Sequence, residues 1–378
     1  MAVLAVAAIS ARMLAEAAAH DGYDVVALDL FGDADTRRAA AQWQPIGVAD
    51  GSLQFDASRV LDALRDVSQH RGAEVLGWVA GSGFEGRPDL LEAGAALLPL
   101  IGCSADTVRR VRDPQCFFGA LAAHGIDHPA VQAHAPRDAD GWLSKDAQAC
   151  GGWHIRRAGR AGDAQSASAT RYFQRQMQGT PMSATFIANG RGVRLLGFNE
   201  LIVRPVGAHP HVYCGCIGPV PVAPEVVRRM VDAAHRLAAA FDLRGWCSLD
   251  FIRDGDALGV LEVNPRPPAS LALYAQRGLI DAHLRACLHR ELPPRMFAAR
   301  SRTAGHEIVY ATRALQVDEA RARQLAQRPG AHDVPVVGTR IMAGDPLCSL
   351  SAEGDGAAQV RAALAAQRDA LLDTLETS

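Results

Sequence analysis

The sequence holds a single lysine. Lysine and arginine together number 39 among 378 residues, and Lys145 is the one ammonium in that set. The chain also lacks an excess of charge of either sign. Its 41 acidic residues leave a net charge of −2, so no overall field draws it to nucleic acid or to an acidic surface. No apolar run approaches the roughly 20 residues of a membrane span. The eight cysteines form no C-x-x-C pair; only Cys214 and Cys216 lie close, in a C-G-C spacing that suits zinc poorly. They read as buried free thiols of a reducing cytoplasm. Internal repeats are absent, as is low-complexity sequence beyond alanine enrichment. A hydrophobic fraction of 49% with 21% charged residues excludes a mainly disordered or fibrous chain. The length suggests two or three domains at roughly 100–200 residues each. The apolar N-terminus lacks a basic leader and runs into a strand–helix pattern, so it reads as a first core strand and not as a signal peptide.

What is present first is an alternation of strands and helices. Residues 3–9 read as a strand, 11–19 as a helix, 23–28 as a strand ending at Asp29, and 73–80 as a strand entering Gly81-Ser82-Gly83-Phe84-Glu85. This predicts an α/β unit with an open parallel sheet, whose ligands collect at the carboxyl ends of the strands, near Ser10, Asp29 and Glu85. The first turn is A-A-I-S-A-R, so the dinucleotide fingerprint G-x-G-x-x-G is missing. Asp29 reads as a strand-end polar residue, with a ribose or amine contact as the alternative. One helix is expected over 105–124. A polar, proline- and histidine-containing linker over 129–140 marks a first boundary, and Pro293-Pro294 a second. Beyond it a strand is expected at 306–311, a hairpin region at 333–350 and an amphipathic helix at 356–375.

Two stretches carry chemistry. Trp142–Lys145 reads as a strand, followed by a small-residue loop with Gly151-Gly152 and a second strand beginning at Trp153. Small residues let backbone N–H groups approach a phosphate, and a lysine at the strand end reaches its oxygens. It is no Walker loop, because G-x-x-x-x-G-K-[ST] is absent. Further on, 246–252 and 258–263 read as paired strands around the turn Arg253-Asp254-Gly255-Asp256. The period of two puts Glu262 and Asn264 on one face, and a hairpin register can bring Asp250 to it. Two carboxylates and an amide oxygen make a hard, all-oxygen site that suits Mg²⁺, or Mn²⁺, held with nucleotide phosphates. Arg266, just beyond, can grip a carboxylate or a phosphoryl group with two parallel hydrogen bonds.

These residues carry a resemblance. Leu249-Asp250-Phe251 with Leu261-Glu262-Val263-Asn264-Pro265-Arg266-Pro267 resembles the metal-binding signature of the ATP-grasp superfamily. Lys145 with Cys150-Gly151-Gly152 resembles its lysine and glycine loop, Tyr172–Gly179 its adenine-gripping strand and hinge, and Arg112–Pro129 the helix entering the fold. The match covers most of the chain in family order. It implies a pre-ATP-grasp Rossmann-like domain over 1–128 and an ATP-grasp domain over 129–292, with a lid at about 135–185 and a metal-binding part at about 186–292. A C-terminal α+β domain over 293–378 completes the expected architecture. It implies that Asp250, Glu262 and Asn264 ligate Mg²⁺, that Lys145 binds ATP phosphates, and that Gly151 and Gly152 close over them. It further implies that Gln174 and the backbone of Arg175 and Met177 hold adenine, and that Arg266 holds an acyl phosphate, with Arg204 assisting.

The implied activity is an ATP-dependent carboxylate–amine ligase acting on small molecules, with no nucleic-acid or membrane partner and with a homodimer as the expected assembly. The alternatives are an ATP-grasp carboxylase or kinase, and a nucleotide-binding protein without turnover. The substrate is expected between the first domain and the ATP site, near Ser10, Glu85 and the segment 204–216, where His209 and His211 read as solvated or substrate-facing. Two family features are missing. Pro114-Gln115 stands where a second phosphate-binding lysine is common, leaving Arg156 or Arg112 to compensate, and Thr180-Pro181-Met182 replaces the ribose carboxylate. More narrowly, Ser10–Glu16, Ala27–Arg37 and the stretch from Asp333 to Cys348 resemble the ATP-grasp proteins of tetrahydromethanopterin- and methanofuran-type one-carbon cofactor pathways in methylotrophs.

Overall fold

Every residue of the strand Val3–Ala7 is buried, which a strand achieves only when layers cover both sheet faces. Val3, Ala5 and Ala7 enter one apolar cluster, and Leu4 and Val6 enter another on the opposite face. The strand forms the centre of a four-stranded sheet ordered Gln42–Pro45, Asp24–Asp29, Val3–Ala7, Val75–Ala80, with all pairings parallel. The computed structural model describes residues 2–48, 52–71, 75–159, 170–274, 277–294 and 301–376. Ala73, the expected start of the fourth strand, lies outside the described residues.

The expected helix over 105–124 is two helices, Ala105–Arg112 and Pro114–Ala123. Pro114 cannot continue a helix, and the residue before a proline is pushed out of the α region. Asp113 accordingly sits at ψ 117° and caps the second helix, accepting the Cys116 N–H at 2.8 Å.

An eight-stranded antiparallel sheet forms the body of the molecule. In spatial order it runs Ala257–Asn264, Arg244–Asp254, Thr180–Asn189, Val193–Val206, His209–Gly218, Thr303–Tyr310, Pro346–Gly354, Ala331–His332. The helix Pro224–Phe241 lays Val226, Met230, Ala233, Leu237 and Phe241 against it at helical spacing. The helix Ala357–Glu376 covers the far end with Val360, Leu364, Leu371 and Leu375. The sheet passes without a break across Pro293, so the C-terminal segment shares hydrogen bonds with the middle of the chain. The hairpin expected over 333–350 does not form. Arg340–Ile341 pairs with Leu315–Gln316 instead, and Pro346–Gly354 pairs with Thr303–Tyr310.

A third sheet, ordered Val131–Gln132, Arg171–Arg175, Trp142–Asp146, Arg156–Arg157, stands over the edge strand Ala257–Asn264. Its first strand lies inside the stretch expected as linker. The strand expected from Trp153 begins only at Arg156, because Gly152-Trp153-His154 remain in a turn. No helix among the described residues is long and apolar enough to cross a membrane.

Candidate active site

The hairpin of Arg244–Asp254 and Ala257–Asn264 sets Asp250 directly opposite Glu262 and Ser248 opposite Asn264. Side chains of directly paired residues lie on the same face. The Asn264 amide N–H₂ donates to Asp250 Oδ2 at 3.0 Å and to Ser248 Oγ at 3.2 Å, which turns its carbonyl oxygen the other way. Burial and the neighbouring Glu262 raise the Asp250 carboxyl to about 7, against the pull of Arg266, Asn264 and Ser248.

Lys145 faces this hairpin from the upper sheet, where it pairs with Tyr172 and is 6% exposed. Burial lowers its pKa; Glu262 and Asp250 oppose that shift, and Arg112 adds to it. A buried ammonium with no carboxylate in ion-pair contact among the described residues is costly and calls for anionic company. Next to it on the middle strand, Gln174 is 1% exposed and its Nε2 is buried without a hydrogen-bond partner. Met177 reaches down to the hairpin, where a Cβ on Gly259 would lie 2.2 Å from its sulfur. Arg175 turns its side chain outward to the Asp140 carbonyl, leaving only its backbone on the inner side.

The loop between the strands is pinned from three directions. Arg112, the last residue of its helix, donates to the carbonyls of Ala147 at 2.7 Å and Ala149 at 2.5 Å and pairs with Glu262 at 3.4 Å. Gly151 and Gly152 adopt φ of 67° and 78°, and a Cβ on Gly152 would lie 1.9 Å from the His211 carbonyl. The Gly151 carbonyl accepts the Tyr213 N–H at 2.9 Å. Trp153 then packs its ring edge-on against His209 and Tyr310. His154, beside Lys145 and Glu262, is lowered to about 4 chiefly by burial, and its Nδ1 is buried without a partner.

Arg266 donates from Nε to Glu85 at 2.5 Å, while its two terminal nitrogens make only contacts of 3.3 and 3.4 Å to Pro267 O and Asn264 Oδ1. Burial pushes the Glu85 carboxyl up, but Arg266 and Arg112 outweigh it and hold the group ionised. Glu85, expected as a substrate contact, is thus the ion that aims Arg266. Ser10 donates to Asp333 at 3.1 Å, away from the carboxylate pair. Arg204, expected beside Arg266, pairs with buried Glu307, which also binds Arg368. His211 is half-buried and lowered by burial and by Lys145, so it borders the site, whereas His209 binds the Trp153 carbonyl at 2.7 Å. Arg156 is exposed, whereas Arg112 is spent on the loop and Glu262 and is not free in the way a second lysine would be. Arg112 was expected as a substitute for the second phosphate lysine and not as the clamp of the loop. No motif marked His154 or Tyr213 as site residues.

The donor set fits a hard divalent ion: two carboxylates held side by side, an amide oxygen turned outward, and one carboxyl whose pKa burial and its neighbouring carboxylate raise. The same cleft holds an unpaired ammonium, an orphaned amide and an orphaned imidazole, which fit a nucleoside polyphosphate.

Residues 112–270 match the model of the ATP-grasp domain, and they lie within a mixed α/β architecture. Solved structures share the whole fold at low identity. Biotin carboxylase from Campylobacter jejuni, solved as a β,γ-ATP complex, superposes at TM-score 0.72 and 14% identity, over 98% of this chain and 95% of that one. L-amino acid ligase from Bacillus licheniformis gives 0.69 at 15%, over 98% and 97%. N5-carboxyaminoimidazole ribonucleotide synthetase from Thermus thermophilus gives 0.67 at 18%, over 98% of both chains. No curated protein matches the chain in sequence.

Proposed function

We propose that the protein is an ATP- and Mg²⁺-dependent ligase that activates a small carboxylate as its acyl phosphate and joins it to an amine, releasing ADP and phosphate. The observation that carries this reading is the juxtaposition of Asp250, Glu262 and Asn264 with Lys145 on one side and Arg266 on the other. Asp250, Glu262 and the Asn264 oxygen would hold the metal ion, which neutralises charge on the β- and γ-phosphates when bound. Lys145 binds the phosphates from the lid, and Gln174 with the backbone of Arg175 and Met177 grips the base. Gly151 and Gly152 present N–H groups over the phosphates while the Arg112 clamp holds their loop shut and excludes water.

Arg266 receives the substrate carboxylate on its weakly held terminal nitrogens, with Glu85 fixing its angle. Phosphoryl transfer is then mostly positioning and electrostatics. An incoming amine attacks only when deprotonated. We place His211, kept neutral by burial and Lys145, as the group that takes its proton. The resemblance of the terminal motifs supports a place for the product in one-carbon cofactor biosynthesis.

The test is ADP and phosphate release from ATP and Mg²⁺ with panels of acids and amines, with the product mass read alongside. Amide formation is expected, with Glu262→Gln slower by about 100-fold or more. A variant as fast as wild type removes the metal assignment, and a product carrying only phosphate or carboxylate removes the ligase.

A further inference from the structure

Both peptide groups that flank His154 are tied down. The Trp153 carbonyl, just before it, is held by His209 Nδ1 at 2.7 Å. The Ile155 N–H, just after it, donates to the Gly152 carbonyl at 3.1 Å and closes the turn. The Trp153 indole anchors the turn from outside, with its ring centroid 5.2 Å from that of His209 and 5.5 Å from that of Tyr310. The base of the loop is walled in as well, since a Cβ on Gly86 would lie 1.9 Å from the Gln148 carbonyl. His154 therefore stands on a backbone that cannot drift, yet its own Nδ1 is buried and has no hydrogen-bond partner among the described residues. A buried polar atom left idle in so constrained a segment calls for a partner that arrives from outside.

The charged groups around this imidazole are Glu262 and Asp146, which are negative, and Lys145 and Arg112, which are positive. Lys145 and Glu262 mark the phosphate end of the cleft, away from Gln174 and Met177 at the base end. Burial, ahead of these charges, keeps the ring neutral with its pKa lowered to about 4. A neutral imidazole donates one N–H to an anion without adding a third positive charge beside Lys145 and Arg112. The chain has Pro114-Gln115 in place of a second phosphate lysine, and Arg112 is spent on the loop carbonyls.

We infer that His154 donates a ring N–H to the terminal phosphate of the bound nucleotide, in place of the missing second lysine, and so favours ATP over ADP. The inference rests on the nucleotide part of the ligase reading and on nothing about the acid or the amine.

The experiment is isothermal titration of the full chain with MgATP and, separately, with MgADP. His154→Ala is expected to weaken MgATP about tenfold or more, the scale of one hydrogen bond to a charged group, and MgADP by less than about threefold. His154→Gln, which keeps an N–H donor, restores most of the lost MgATP affinity. His154→Phe, which keeps the bulk of a ring without a donor, replaces the alanine variant should the smaller side chain loosen the turn, and loses MgATP in the same way. A role confined to shaping the turn would weaken both nucleotides alike and would not be rescued by glutamine. Equal losses on the two nucleotides, no loss, or a glutamine variant as weak as alanine overturns the inference, and leaves the ligase reading standing as long as wild type binds MgATP. Wild type that binds neither nucleotide removes that reading and this inference with it.

Discussion

Asp250→Asn should stabilise the ligand-free protein, and the gain should grow with pH. Asp250 titrates at about 7 in the folded chain against 3.8 in the unfolded one. Below the lower value both states hold the proton and nothing is lost. Between the two, the unfolded chain ionises while the folded chain does not, so folding stability falls as pH rises. One pKa unit is about 1.4 kcal/mol, so the penalty is about 2 kcal/mol at pH 5 and saturates near 4 kcal/mol above pH 7. Asparagine does not titrate. It forfeits part of the bonding to Asn264 and Ser248, at about 1 kcal/mol that hardly depends on pH. Its advantage over wild type should therefore widen by as much as about 2 kcal/mol between pH 5 and pH 8. Water reaching this half-buried carboxylate makes that an upper bound, and about 1 kcal/mol is a safe floor. Urea denaturation at both pH values measures it. An advantage that stays flat or shrinks toward pH 8 refutes the claim that Asp250 is a carboxylate awaiting a countercharge. Added MgATP should reverse the order, stabilising wild type and not the variant.

Gly152→Ala places a methyl group 1.9 Å from the His211 carbonyl at φ +78°, so the loop must lift. KM for ATP should rise about tenfold, with faster proteolytic nicking near residue 152; an unchanged KM refutes the closed-loop geometry. Asp29 is fully buried and accepts the N–H groups of Ala11 at 3.0 Å, Gly32 at 2.9 Å and the Trp43 indole at 2.7 Å. Asp29→Asn must turn an N–H₂ toward one of these donors. It should lose about 2 kcal/mol in urea denaturation, and no loss means the group has another role.

The hairpin that carries Asp250 and Glu262 was legible because its signal is local: alternation over 246–252 and 258–263 marks the two strands and their faces, although the bulge between Asp250 and Phe251 that sets Asp250 opposite Glu262 leaves no trace in that alternation. Lys145 was legible by scarcity, since a chain that writes its other cations as arginine retains one ammonium beside a glycine turn. The Asp113-Pro114 helix break was also readable, as a cap followed by a proline at the first helical position, but the apolar periodicity on both sides masked it. Arg266 and Glu85 are 181 residues apart, and no spacing rule joins them. Arg204 carried the right charge next to the right segment, yet its neighbour across the sheet, Glu307, comes from a strand 103 residues away. Trp153 was read as the start of a strand because it follows a glycine pair. Its ring instead seats on His209 and Tyr310, a tertiary contact that overrides the local β tendency.

The strand Thr303–Tyr310 hydrogen-bonds to His209–Gly218 along Gly215, Cys216, Ile217 and Gly218. A fragment stopped at the Pro293-Pro294 pair would strip that neighbour away and bare a row of amides and carbonyls flanked by the buried Cys214, Cys216 and Ile217. Such an edge invites self-association. Dissection of this polypeptide into separately expressed pieces is therefore best attempted upstream of the eight-stranded sheet, at the turn following residue 123, and not at the proline pair that looks like the natural place to cut.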